Sequence, residues 1–301
     1  MSLAGWATIA AVAVGVQVGA ATTVSRFVVG SLEPATLALL RYAIAVACLI
    51  PFVGIGFVHR IRAPHRWPVA LLGIGQFALF IYLLNWGLQR INSAEASLLL
   101  ATMPLFAMLF AVLRGLERLN IARLLGVVLT ILGIAVMVVG KLMTQQRADY
   151  AWLGDIAVLL GAALGGFCSV LYRPYLRENS ATDVGLLAMS ASVLVLAIAA
   201  IAEDSIGRVL HLSAKQWAAI GFIGLSSAIG YVLWLFALAH ADSSKVTAFL
   251  ALSPVTALLL GASVFGEPVL ISILVGGAFV IIGLLVSSLA MSRHQESTKP
   301  V

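Results

Sequence analysis

Charged residues in this chain fall in clusters, and between the clusters run apolar stretches of about 20 residues, the length that carries a helix across a bilayer. Ten such stretches can be drawn, near 4–28, 34–56, 67–89, 94–113, 119–139, 152–172, 183–202, 214–239, 245–265 and 269–291. None alternates apolar with polar residues, so a closed barrel is excluded and helices remain. Only 10% of the residues are charged and 62% are hydrophobic, with mean hydropathy +1.09. A soluble domain carries about a quarter charged residues. The expectation is an all-α polytopic membrane protein of ten transmembrane helices.

The second constraint is an internal duplication. Asn92–Pro104 and Asp242–Pro254 are each a short polar loop running into an apolar segment, with a proline about ten residues inside. At a fixed offset of 150 residues, Leu100/Leu250, Pro104/Pro254, Glu117/Glu267, Gly126/Gly276 and Gly133/Gly283 are identical. Trp6, Gly15 and Gly19 match Trp152, Gly161 and Gly165 at an offset of 146. The first stretch therefore belongs to the fold, and its flank lacks the basic residues of a signal peptide. The chain divides into a first repeat, 1–143, a second, 144–292, and a short polar tail, 293–301.

With the N-terminus inside, eleven Lys and Arg fall on inner loops and the tail, and six fall outside. The charge bias expects both termini in the cytoplasm, in the inner membrane of the cell. The net charge of +6 is that of loops beside anionic lipid and calls for no nucleic acid. Five spans per repeat is an odd number, so the halves enter the membrane in opposite directions. Inverted repeats of this kind hold a substrate between them near the midplane.

Candidate binding residues follow from polar groups at depth. Gln17 has the one side-chain amide in the middle of span 1, and it faces either another helix or a water-filled cavity. Tyr82, Asn85 and Trp86 share one face of span 3, as Tyr231 and Trp234 do on span 8. An aromatic belt at the span ends is the alternative for the tryptophans. Pro104 and Pro254 cannot donate to the carbonyls four residues earlier, so spans 4 and 9 should bend there. Ser97 and Thr247 share a face with those bends, and Thr102 and Ser253 lie beside them. Arg41, about two turns into span 2, is expected to snorkel to the outer headgroups. Gly15 and Gly19, and the glycines spaced by seven in spans 5 and 10, read as helix-packing positions.

The run Ala241–Pro254, the Phe265-Gly-Glu-Pro268 that follows it and the Gly276–Gly283 stretch resemble EamA-type members of the drug/metabolite transporter superfamily. The first half departs from the pattern at Gly115-Leu-Glu117-Arg118. The resemblance implies a ten-helix secondary transporter with inverted repeats, exporting small metabolites such as amino acids, aromatic ones included. It also implies a central cavity between spans 1, 3, 4, 6, 8 and 9.

Other classes find little support. No nucleotide-binding Gly-rich loop is present, and the five histidines all lie in or beside loops, so neither a pump nor an enzyme is expected. No cofactor is expected either. The partners are a small-molecule substrate and the lipid bilayer, with the chain a monomer or weak homodimer. Every acid lies in a loop or the first turn of a span, Glu95 and Asp155 being closest to the interior. A cavity without a fixed charge would suit a neutral or zwitterionic cargo, moved downhill without proton coupling.

Overall fold

A computed structural model describes residues 3–116, 121–143, 150–240 and 249–297. All regular structure among them is helical. In order these are α1 (Leu3–Val28), α2 (Pro34–Val53), α3 (Ala63–Leu88), α4 (Ser93–Leu113), α5 (Ile121–Met143), α6 (Ala151–Glu178) and α7 (Ala181–Ala202). Then follow α8 (Ala214–His240), α9 (Leu252–Phe265, preceded by a 3-10 turn at Phe249–Ala251) and α10 (Ile271–Ser297). Among the described residues, seven helices are long and apolar enough to cross a membrane: α1 to α4 and α6 to α8. Leu124–Met137, Phe249–Phe265 and Ile271–Gly283 are shorter apolar stretches.

Local signals set the ends. Pro34 opens α2, where its missing N–H costs nothing. The Asn92 side chain accepts from the Glu95 amide at 2.8 Å and caps α4. Gly266, in the left-handed region at φ +65, stops α9. The Gly-Glu-Pro stretch then has a structural use. Glu267 accepts from the Ser93 amide at 3.1 Å and the Ser93 hydroxyl at 2.6 Å, tying the end of α9 to the start of α4. A carboxylate at a helix N-terminus also meets the positive end of the dipole. Glu117, its counterpart, lies outside the described residues.

Helices of one half pack on the other in exchanged pairs. α1 rests on α8 and α9, while α6 rests on α3 and α4. α2 packs on α8, α7 packs on α3, and α5 packs along α10. Close approach is made at glycines. A Cβ on Gly19 would meet the Ser253 carbonyl and the Ala257 amide, and one on Gly166 would meet the Met103 carbonyl at 2.8 Å and the Ala107 amide at 2.7 Å. Those two partner sets are themselves 150 residues apart. Likewise a Cβ on Gly133 would lie 2.5 Å from the Gly276 carbonyl, and one on Gly283 2.6 Å from the Gly126 carbonyl.

Polar contacts gather in two rims. One joins Arg60 to Asp183 and Arg62 to Glu178. The other joins Arg208 to Glu33 and places Glu203 on the Ala35 and Thr36 amides. Burial of Glu203 holds its carboxyl above the usual range, against those amides, which lower it. Between the rims, large apolar side chains face outward. Leu194, Ile198 and Ile201 of α7 are exposed at 70%, 70% and 67%, and spacing by four and three puts them on one stripe. A surface of that sort suits lipid chains rather than water.

Candidate functional site

A cavity of ≈ 270 Å³ lies between α1, α2, α3, α4 and the Phe249–Ala251 turn that leads into α9, with Leu285 of α10 at its edge. Its apolar wall includes Phe77, Phe80 and Leu84 of α3 and Leu100, Met103 and Met108 of α4. Its polar groups are Thr22, Arg41, Tyr42, Gln76, Ser97 and Ser253.

Breaks in three helices build it. α3 passes through a π-helical segment at Ile74–Leu79, and this segment carries Gln76. α4 leaves the α-helix at 101–102 and restarts at Met103, with Pro104 in its new first turn. Pro104 lines the cavity, and so does Ser97, 1% exposed and on the preceding turn. In the second half the 3-10 turn Phe249–Ala251 precedes Ser253 and Pro254. Ser253 lines the cavity, whereas Pro254 is buried and does not. A proline removes one ladder bond and forces the chain off the α-helix, which exposes polar backbone and hydroxyls at depth.

Three of the lining residues carry a buried oxygen without a hydrogen-bond partner: Gln76 Oε1, Ser97 Oγ and Ser253 Oγ. Native interiors rarely leave such atoms unpaired, because each forfeits about 1–3 kcal/mol of solvation. The Thr22 hydroxyl is satisfied within its own helix: Thr22 Oγ1 donates to the Val18 carbonyl at 2.9 Å.

The other sequence-derived candidates sit elsewhere. Gln17 donates to Ser226 Oγ at 3.2 Å and abuts Gly230, so it fastens α1 to α8. Asn85, 1% exposed, donates to the Pro34 carbonyl at 3.0 Å and ties α3 to the start of α2. Trp86 lies under the Arg90 guanidinium, 3.4 Å from its ring centroid, and Tyr82 is half-buried one turn away. Thr102 donates to the Leu99 carbonyl at 2.6 Å, satisfying the backbone at the break rather than the cavity. Tyr231 donates to the Ala181 carbonyl at 2.8 Å, and Trp234 packs with Ala10, Ala11 and Phe249. Thr247 lies outside the described residues. Ser97, Ser253 and Pro104 are thus the candidates that the structure brings to one cavity.

Two expectations need correction. Arg41 does not snorkel outward. Its Nε donates to Ser227 Oγ on α8 at 2.8 Å, and the residue lines the cavity. The reason is Ser227 on the neighbouring helix, whose hydroxyl accepts from the guanidinium. Among the described residues the cavity therefore has one fixed charge. The acids closest to the interior are also covered: Glu95, in the first turn of α4, is 1% exposed, and Asp155, which falls just past the first turn of α6, 5%. Neighbouring helix ends bury both, and neither lines the cavity. Sequence reading also left out Tyr42 and Gln76, since one tyrosine or amide in an apolar span carries no periodic signal.

Comparison with known proteins agrees with this architecture. The chain matches the EamA-like transporter family over residues 5–139 and again over 152–289. A probable terminal-alkyne amino-acid exporter of Streptantibioticus cattleyicolor is 30% identical over 268 residues, 88% of each chain. An uncharacterized transporter of Archaeoglobus fulgidus is 24% identical over 269 residues, 89% of this chain and 93% of that one. One solved structure superposes with a TM-score of 0.64 at 22% identity, covering 96% of this chain and 98% of its own, which establishes a shared fold. Apolar helices with lipid-facing stripes and a family match over both halves lead to one conclusion: this is a multi-pass membrane protein that belongs to the EamA-like transporter family.

Proposed function

We propose that this protein is a secondary transporter that exports small neutral or zwitterionic metabolites, amino acids among them, by alternating access. One observation carries the reading: interrupted helices from opposite halves of the chain, α4 and the Phe249–Phe265 stretch, bring serines with unpartnered hydroxyls to the wall of a single cavity. Irregular backbone inside a membrane is tolerated where it lines a cavity, and inverted-repeat transporters bind substrate at such breaks. The exporter name borne by the Streptantibioticus relative supports the cargo class.

In this reading the three shorter apolar stretches also cross, giving ten helices in two inverted five-helix repeats, 1–143 and 144–292, with the tail 293–301 beyond them. The exchanged packing of α1 on α8 and α9 against α6 on α3 and α4 supports a two-fold axis in the membrane plane. Such an axis lets one half rock against the other around a fixed site. The protein acts as a monomer or weak homodimer in the inner membrane, both termini in the cytoplasm.

The transport reading is tested in proteoliposomes. Labelled L-phenylalanine and L-leucine should exchange by counterflow, and an imposed pH gradient should leave their final distribution unchanged. No carboxylate among the described residues meets the cavity, so the cargo's own gradient drives its movement. Uphill accumulation driven by the pH gradient, and abolished by Glu95→Gln or Asp155→Asn, would refute uncoupled transport.

Orientation has its own test. In a background of Cys48→Ser and Cys168→Ser, Gly207→Cys on the exposed Ile206–His211 turn should react with a membrane-impermeant maleimide added to intact cells. His59→Cys, exposed at the opposite rim, should react only after lysis. The reverse pattern would turn the protein over in the membrane.

A further inference from the structure

We propose that Arg41 is the residue that selects the cargo, by binding a carboxylate. This rests on the transport reading above and names the chemistry of its cavity. Arg41 is the eighth residue of α2, about 10 Å along the helix from its start. Its Nε is held by Ser227 Oγ at 2.8 Å, which fixes the fork while leaving the guanidinium edge for a ligand. Among the described residues no carboxylate forms an ion pair with it, and none lines the cavity. A cation in an apolar cavity is costly without an anion beside it, so the site favours an anionic group on its ligand.

Packing does not require an arginine there. A Cβ on Gly224 of α8 would meet the Ile44 side chain first and then the Arg41 carbonyl, so the close approach of α8 to α2 uses Ile44 and backbone and not the arginine side chain. The partnerless acceptors Gln76 Oε1, Ser97 Oγ and Ser253 Oγ are suited to an ammonium on the same ligand. Phe77, Phe80 and Met103 suit its apolar side chain. A carboxylate, an ammonium and an apolar group are the parts of an amino acid with an apolar side chain.

Matched probes separate these contributions. L-phenylalanine, L-phenylalaninamide and 3-phenylpropanoate are titrated against the purified full chain in lipid nanodiscs, with thermal stabilisation and competition as readouts. In the native protein the amide should bind about 10- to 100-fold more weakly than the amino acid, the usual worth of a hydrogen bond to a charged group. Arg41→Gln should lower amino-acid binding to the level of the amide and leave the amide unchanged, and Arg41→Lys should recover part of the difference. An arginine with a purely structural role would lower both ligands in proportion, and that result overturns the proposal. Equal binding of acid and amide by the native protein overturns it too, while leaving transport standing. Should phenylalanine fail to bind and 3-phenylpropanoate bind in an Arg41-dependent way, the carboxylate site survives and the amino-acid cargo falls. Binding of none of the three overturns both.

Discussion

Gly133→Leu should strip the protein from the membrane, cutting its folded abundance about tenfold or more, whereas Gly221→Leu should leave it near the native level. The two changes add the same side chain to a helix in the same solvent. They differ in what it meets. At Gly133 a Cβ would lie 2.5 Å from the Gly276 carbonyl and 2.9 Å from the Val280 amide, and these are backbone atoms that no rotamer change can move. At Gly221 nothing lies within 4 Å. In lipid there is no hydrophobic drive to hold α5 against α10, so close backbone packing is what joins them. Overpacking a core costs about 1–3 kcal/mol where side chains can adjust, and more where only backbone can yield. Fluorescence size-exclusion of tagged variants, with equal transcript levels, makes the measurement. Normal abundance of Gly133→Leu would mean that the α5–α10 contact contributes little to the fold.

Pro104→Ala should insert and accumulate normally yet lose more than about tenfold in L-phenylalanine counterflow, and Pro254→Ala should behave alike. Alanine restores the amide that the Leu100 carbonyl lacks and favours a continuous α-helix by about 3 kcal/mol at that position. The break at 101–102 would then rewind, carrying Ser97 and Met103 out of register with the cavity. At Pro254 the same rewinding would move the Phe249 and Ser253 carbonyls that sit against Gly15 and Gly19. Stability is expected to hold or rise while transport falls, a pairing that a general folding defect cannot give. Normal counterflow by both variants at equal abundance would reduce the prolines to tolerated kinks and move the site elsewhere.

The chain's own sequence went a long way. Apolar run length and clustered charge determined a helical membrane protein, since an unpaired backbone in lipid leaves little alternative. The repeat in register at Pro104/Pro254 and Gly133/Gly283 placed the breaks and the packing seams before any contact was visible. Ser97 and Pro104 could be found because a proline and a hydroxyl seven residues apart share a helix face, and Ser253 because it stands beside Pro254. Partners across helices could not be found that way. Gln17 and Gln76 are both amides deep in apolar spans, yet one is consumed by Ser226 and the other stands in the cavity wall with a buried, unpartnered oxygen. Glu267 reads as half of a repeated motif, and only folding shows that it caps Ser93, 174 residues away. Arg41 is the sharpest case. Its depth in α2 is legible from the sequence, but whether a long side chain runs out to the headgroups or inward depends on what the adjacent helix offers. Ser227 is distant in the chain and adjacent in the fold, and that proximity alone turns the charge toward the cavity.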